Sequence, residues 1–120
     1  MDTAITALII FIAAFHVWAL ILEMFLWTKP LGRKTFGISK ADAETSKSLA
    51  MNQGLYNGFL VVGLVASLMV SNPDTAHALK LLFLSFVVAA GVFGGLTVNM
   101  RIFVLQGLPA LIALGLILFA

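Results

Sequence analysis

The sequence predicts an all-α fold, an integral membrane four-helix transmembrane bundle forming a single membrane domain over residues 1–120. Three observations carry that expectation. Hydrophobic residues fill 62% of the 120 positions, charged residues only 10%, and the mean hydropathy is +1.11, which leaves too few polar side chains to cover a water-facing surface. Four apolar stretches, at 4–27, 51–70, 79–98 and 102–119, fall within the roughly 17–25 residues that carry a helix across a bilayer. These runs are also too long and too continuous for barrel strands.

The first stretch opens on Asp2, without the basic start of a signal peptide, and exceeds the usual length of an apolar signal core, so it is expected to stay in the mature protein. Pro30 cannot continue a helix and should end this span near Thr28, ahead of a turn-prone stretch at 31–37. Ser39-Lys40-Ala41-Asp42 fits a short capping box with Ser39 as N-cap, starting the second helix two turns or more before it enters lipid. Asn72-Pro73-Asp74 marks the third start, with Asn72 capping and Pro73 at the first helical position. In the fourth stretch Pro109 leaves the Leu105 carbonyl without its usual donor, so that oxygen needs a side chain, a water or a ligand.

Charge sets the expected orientation. Lys29, Arg33, Lys34, Lys40 and Lys47 all lie in the loop at 28–50, against Lys80 alone near the second connection and Arg101 at the third. By the positive-inside bias the 28–50 loop is cytoplasmic, and both termini and the 71–78 connection face outward. The pI near 9.3 therefore reflects topology and anionic membrane lipids, with no nucleic acid implied. No cysteine is present, which excludes thiolate chemistry and disulfides. Gly32-Arg33-Lys34-Thr35 lacks the glycine spacing of a phosphate-binding loop and reads as a basic juxtamembrane turn whose charges meet lipid head groups.

The polar residues inside the spans are the informative ones, because each is costly in lipid. His16 and Glu23, seven residues apart, share nearly one helix face with Trp27 a turn further on. Glu23 has two readings, a structural acid paired with a cation such as Lys47 or Arg101 or with a neighbouring helix, and a direct functional group. His16 reads as a helix-to-helix hydrogen bond. A metal shared between them is excluded by the ~10 Å that seven helical residues span, and no metal site is expected. His77 reads as solvated. The densest signal is Asn52-Gln53-Gly54-Leu55-Tyr56-Asn57-Gly58, where Asn52 stacks on Tyr56, Gln53 stacks on Asn57, and Gly54 with Gly58 permits close helix approach. Gly91 and Gly95 read as packing positions. Thr97, Asn99 and Gln106 complete a polar set that every span brings to one cytoplasmic third. This asymmetry argues for a pocket open to the cytoplasmic interface and against a straight polar pore.

His16, Glu23-Met24, Trp27, Pro30, the segment from Asn52 to Leu60, Ala90-Gly91, Gly94, Thr97-Val98, Gln106-Gly107 and Pro109-Ala110 together resemble the family of small four-helix membrane proteins called domain of unknown function 1304. The resemblance runs from about His16 to Ala113, with the asparagine-rich segment as its most specific part. It implies a compact bacterial inner-membrane protein and assigns no reaction. A weaker, fold-level resemblance is to the membrane-associated eicosanoid and glutathione metabolism proteins, short four-helix chains whose trimers place a cofactor site between protomers. Here Tyr56 and Asn57 stand near that family's glutamate and its arginines are missing from the second helix, so what carries over is homo-oligomeric, trimeric assembly around a small-molecule site.

The leading expectation is a membrane protein that binds a small amphipathic molecule or lipid through Glu23, Trp27, Asn52, Gln53, Tyr56 and Asn57, with Asn99, Arg101 and Gln106, orienting a head group with amides and a phenol while the apolar half takes a tail. The sequence names no cofactor. In an enzyme, Glu23 is the candidate base and Tyr56 the candidate acid. Transport of a small solute or proton by an oligomer, with His16 and Glu23 as a relay, is a second class. A third is a structural partner of another membrane protein.

Overall fold

A computed structural model describes residues 2–119. All regular structure among the described residues is helical: α1 (Asp2–Met24), α2 (Pro30–Phe36), α3 (Lys40–Met69), α4 (Pro73–Thr97), the single turn α5 (Met100–Ile102), a π-helical segment (Phe103–Gly107), and α6 (Leu108–Phe119). Four stretches are long and apolar enough to cross a membrane: Thr3–Met24, Lys40–Met69, Pro73–Thr97 and Met100–Phe119.

Two helix starts form as their cap residues dictate. The Asp42 N–H donates to Ser39 Oγ at 3.1 Å, and the Thr75 N–H donates to Asn72 Oδ1 at 3.0 Å, with Pro73 opening α4. Each cap satisfies one of the donors that a helix start leaves without an internal partner.

The first connection departs from expectation. α1 ends at Met24, four residues before Thr28, with the Phe25 and Leu26 N–H groups both turned onto the Ile21 carbonyl (3.0 and 3.2 Å). Trp27 is therefore off the helix and does not extend the His16–Glu23 stripe. The stretch at 31–37 is not a turn but α2. Lys29 is extended (φ −82°, ψ 160°), as a residue before proline must be, and Pro30 then begins a helix whose first N–H would have no partner anyway. α2 stops at Gly37, whose φ of 65° suits glycine and whose N–H returns to the Arg33 carbonyl.

The fourth span is interrupted on its own account. Asn99 Oδ1 accepts from the Arg101 N–H at 2.9 Å to start α5, and one turn later the Leu108 N–H reaches back to the Phe103 carbonyl. This widened register stands immediately before Pro109. A π segment is a common way for a helix to absorb a local break in its ladder, such as the donor that Pro109 withholds.

Packing divides the chain into two compact units, one comprising the chain up to Phe15 together with Leu60 onward, the other His16–Phe59. The core of the first unit joins Ile5, Ile9, Ile12 and Ala13 of α1, Leu64 of α3, Leu84 and Val87 of α4, and Ala110 and Ala113 of α6. Lipid tails are as apolar as these side chains, so their association rests on close packing more than on the hydrophobic effect. Gly91 shows how close that packing is, since a Cβ there would sit 2.5 Å from Gly107 Cα. Gly95 likewise faces Phe103. In the second unit, Ala43, Ala50, Gly54 and Asn57 form the buried stripe of α3, with Leu22 and His16 buried on α1.

Candidate functional site

Small residues let the end of α1 meet α3 within the second unit. A Cβ on Gly54 would lie 2.5 Å from Met24 Cγ and 3.2 Å from Glu23 Cβ, and one on Gly58 would lie 3.1 Å from Leu20 Cδ1. With the backbones this near, one turn beyond Gly54 places the Asn57 amide against the Glu23 carboxyl, and Asn57 Nδ2 donates to Glu23 Oε1. Asn57 is 9% exposed. The partner of Glu23 is thus an amide from a neighbouring helix, while Lys47 and Arg101 are exposed. An interhelical polar bond of this kind is worth about 0.6–2 kcal/mol in a membrane.

The remaining polar residues of the asparagine-rich segment turn the other way. Asn52, Gln53 and Tyr56 are exposed, Tyr56 half of its surface, with its ring 5.8 Å from that of Phe59. The two stacked pairs read from the sequence are therefore divided by burial: Asn57 points into the unit, and its three companions form a polar outer face one to two turns long.

Trp27 has a different role from a continuation of the α1 stripe. Its indole N–H donates to Ser46 Oγ at 3.0 Å and its ring lies 4.8 Å from that of Phe36, tying the α1–α2 connection to α3. Ser46 in turn donates to the Asp42 carbonyl. Nothing in the sequence singled out Ser46 or Phe36; the signal was Trp27 itself, since a half-buried indole requires an acceptor.

Asn99, Arg101 and Gln106 belong to the first unit. Asn99 serves as the cap of α5, Arg101 is exposed, and Gln106 is half-buried within the π segment. A shallow apolar groove in this unit is lined by Val92, Gly95, Leu96, Met100 and Phe103, none of which is among the polar residues above. His16 is almost wholly buried, at 1% exposure. No group of three or more His, Cys, Asp or Glu close enough to hold a metal ion occurs among the described residues.

The sequence marked Arg33 only as a juxtamembrane charge. Arg33, on α2, has its Nε buried without an acceptor. A desolvated donor left unmade costs about 1–3 kcal/mol, more when charged.

Comparison with known proteins gives a consistent picture. The profile of the family described as Protein of unknown function (DUF1304) matches residues 10–118. A curated relative, "Uncharacterized protein YpaA" of Lactococcus lactis subsp. lactis (strain IL1403), is 29% identical over 114 residues, covering 93% of this chain and 92% of the relative. No solved structure matches the chain significantly.

Proposed function

From the premise that this chain belongs to the DUF1304 family, we propose that it is a homo-oligomeric, multi-pass protein of the bacterial inner membrane that holds a small amphipathic molecule or lipid at a polar site on the cytoplasmic side. The observation that carries this reading is the division of the α3 segment. Asn57 is consumed by Glu23, whereas Asn52, Gln53 and Tyr56 stay exposed at the same level of the same helix. Two amides and a phenol facing hydrocarbon are costly without a partner. A head group supplies acceptors and donors to all three, and a second copy of the chain encloses them. The Asn57–Glu23 bond and the close approach at Gly54 hold α3 in one rotation, so the outer face is presented in a fixed register. The five cations at 29–47 support a cytoplasmic placement for this end of the helix.

Native mass spectrometry of protein released in mild detergent, with identification of retained small molecules, tests the reading. The expected result is a defined oligomer whose bound molecule is lost in Asn52→Ala and Tyr56→Phe while assembly persists. An empty wild type, or equal retention in both variants, overturns it. A purely structural use of the polar set is favoured at one pair, Asn57 with Glu23; an oligomer that carries no ligand and collapses in Asn52→Ala would extend that structural use to the outer face.

A further inference from the structure

The outer face of α3 has a depth and a charge that narrow what it can hold. α3 ends at Met69, and at ~1.5 Å per residue Lys47 stands about 33 Å before that end, Asn52 about 26 Å and Tyr56 about 20 Å. With the helix end as one edge of a hydrocarbon core about 30 Å thick, Lys47 falls outside the core and Asn52 just inside it. Tyr56 is rooted about 10 Å deep.

No charged residue occurs from Ser48 to Met69. The last one, Lys47, is five residues before Asn52, which turns it about 140° away around the helix. Glu23, the acid in this unit's α1, is met by Asn57 on the buried side. The outer face therefore offers hydrogen bonds without a countercharge, at a depth where an ion has lost its water. A phosphate or carboxylate head group satisfies neither condition.

Tyr56 and Phe59 add a shape. Their rings lie 5.8 Å apart, tilted by 40°, and the two residues are 50% and 55% exposed. One turn of helix thus presents an aromatic surface edged by a phenol hydroxyl, the kind of surface on which a further ring packs. No described residue bonds the side chains of Asn52, Gln53 or Tyr56, so three donor groups border that surface. A sugar ring brings more hydroxyls than these groups can match and belongs at head-group level. A planar, uncharged ring whose polar atoms are carbonyl oxygens meets both limits, since it needs only donors at its edges and lies within hydrocarbon.

We propose that the outer face of α3 binds the ring of a membrane quinone. The Tyr56 O–H and an N–H of Asn52 or Gln53 donate to its carbonyl oxygens, the ring rests on Tyr56 and Phe59, and the isoprenoid tail continues into the hydrocarbon. The assignment rests on the reading of this face as a ligand site and names the chemistry of its occupant.

Native mass spectrometry of the full chain in neutral detergent tests it, with separate titrations of a ubiquinone and a menaquinone of two isoprene units, phosphatidylglycerol, and a monoglucosyl diacylglycerol. Wild type is expected to bind one of the quinones at least about tenfold more tightly than either lipid. Tyr56→Phe and Asn52→Ala should each weaken quinone binding about three- to tenfold, the worth of one hydrogen bond. Ser85→Ala, which removes an exposed hydroxyl from α4, should leave it unchanged. Should a variant lose helicity by circular dichroism, Phe59→Leu takes its place, removing the ring while keeping an apolar side chain, and the same loss is expected. Quinone binding that none of the α3 variants weakens overturns the proposal. A lipid that binds as tightly as the quinones and is lost in the α3 variants also overturns it, while leaving the α3 face as a ligand site. Wild type that retains no probe rejects the quinone and the ligand site together.

Discussion

Asn57 donates to Glu23 across two helices that small residues bring close together, so the bond is a specific polar link between the end of α1 and the middle of α3. Asn57→Ala strands the Glu23 carboxyl in the packed interface and is expected to destabilise the protein by about 1–2 kcal/mol. Glu23→Gln keeps an acceptor oxygen at the same place and should cost less than half as much. Equilibrium unfolding in mixed micelles measures both, and an Asn57→Ala protein as stable as wild type would show that the contact contributes nothing net. Both residues were identifiable from the sequence as polar groups needing partners. Which of the four polar residues in the segment turns inward was not, and the reason is physical. Within residues 40–59 the buried stripe of α3 consists of Ala43, Ala50, Gly54 and Asn57, small residues, while Leu49 and Phe59 are exposed; further along the helix Gly63, Leu64 and Ser67 are buried. In a membrane protein both faces of a helix are apolar, so hydrophobicity does not reveal the inner one; small side chains do.

Gly91 and the π segment are one structural device at the level of elements. The widened turn at Phe103–Gly107 brings Gly107 against α4, and only a glycine at 91 leaves room for it. A Cβ added at Gly91 meets backbone, which cannot rotate away. Gly91→Ala is therefore expected to destabilise by about 1–3 kcal/mol despite the better helix propensity of alanine. Gly115 is the control, because a Cβ there meets nothing within 4 Å, and Gly115→Ala should be neutral or stabilising by up to about 1 kcal/mol. Equal effects at the two positions in the same micellar unfolding assay would remove the Gly91–Gly107 contact from the account. The starts of α3 and α4 were legible because Ser39 and Asn72 each have an unambiguous donor to satisfy three residues on. The end of α1 was not, since Pro30 is compatible both with stopping one helix and with opening another. The structure uses it for the second purpose, and α1 must end early enough for Lys29 to be extended.

Across the whole molecule, the number and helical character of the apolar stretches followed from the hydropathy pattern, whereas their orientation rests on charge placement. Five cations within 29–47, against Lys80 near the start of α4 and Arg101 at the start of the fourth span, predict that the α1–α3 connection is cytoplasmic and that the connection before Pro73 is external. The cysteine-free sequence makes this directly measurable with single introduced thiols. Glu44→Cys places an exposed thiol on α3 while keeping all five cations, and Ser71→Cys places one in the exposed segment between α3 and α4. With a membrane-impermeant maleimide applied to cells whose outer membrane has been opened, Ser71→Cys should label at once. Glu44→Cys should label only after the inner membrane is permeabilised. The reverse pattern would put Asn52, Gln53 and Tyr56, together with the Arg33 cluster, on the external side. The ligand proposed for the α3 face would then be drawn from the outer leaflet. The labelling pattern therefore decides which leaflet and which aqueous compartment supply whatever the protein binds.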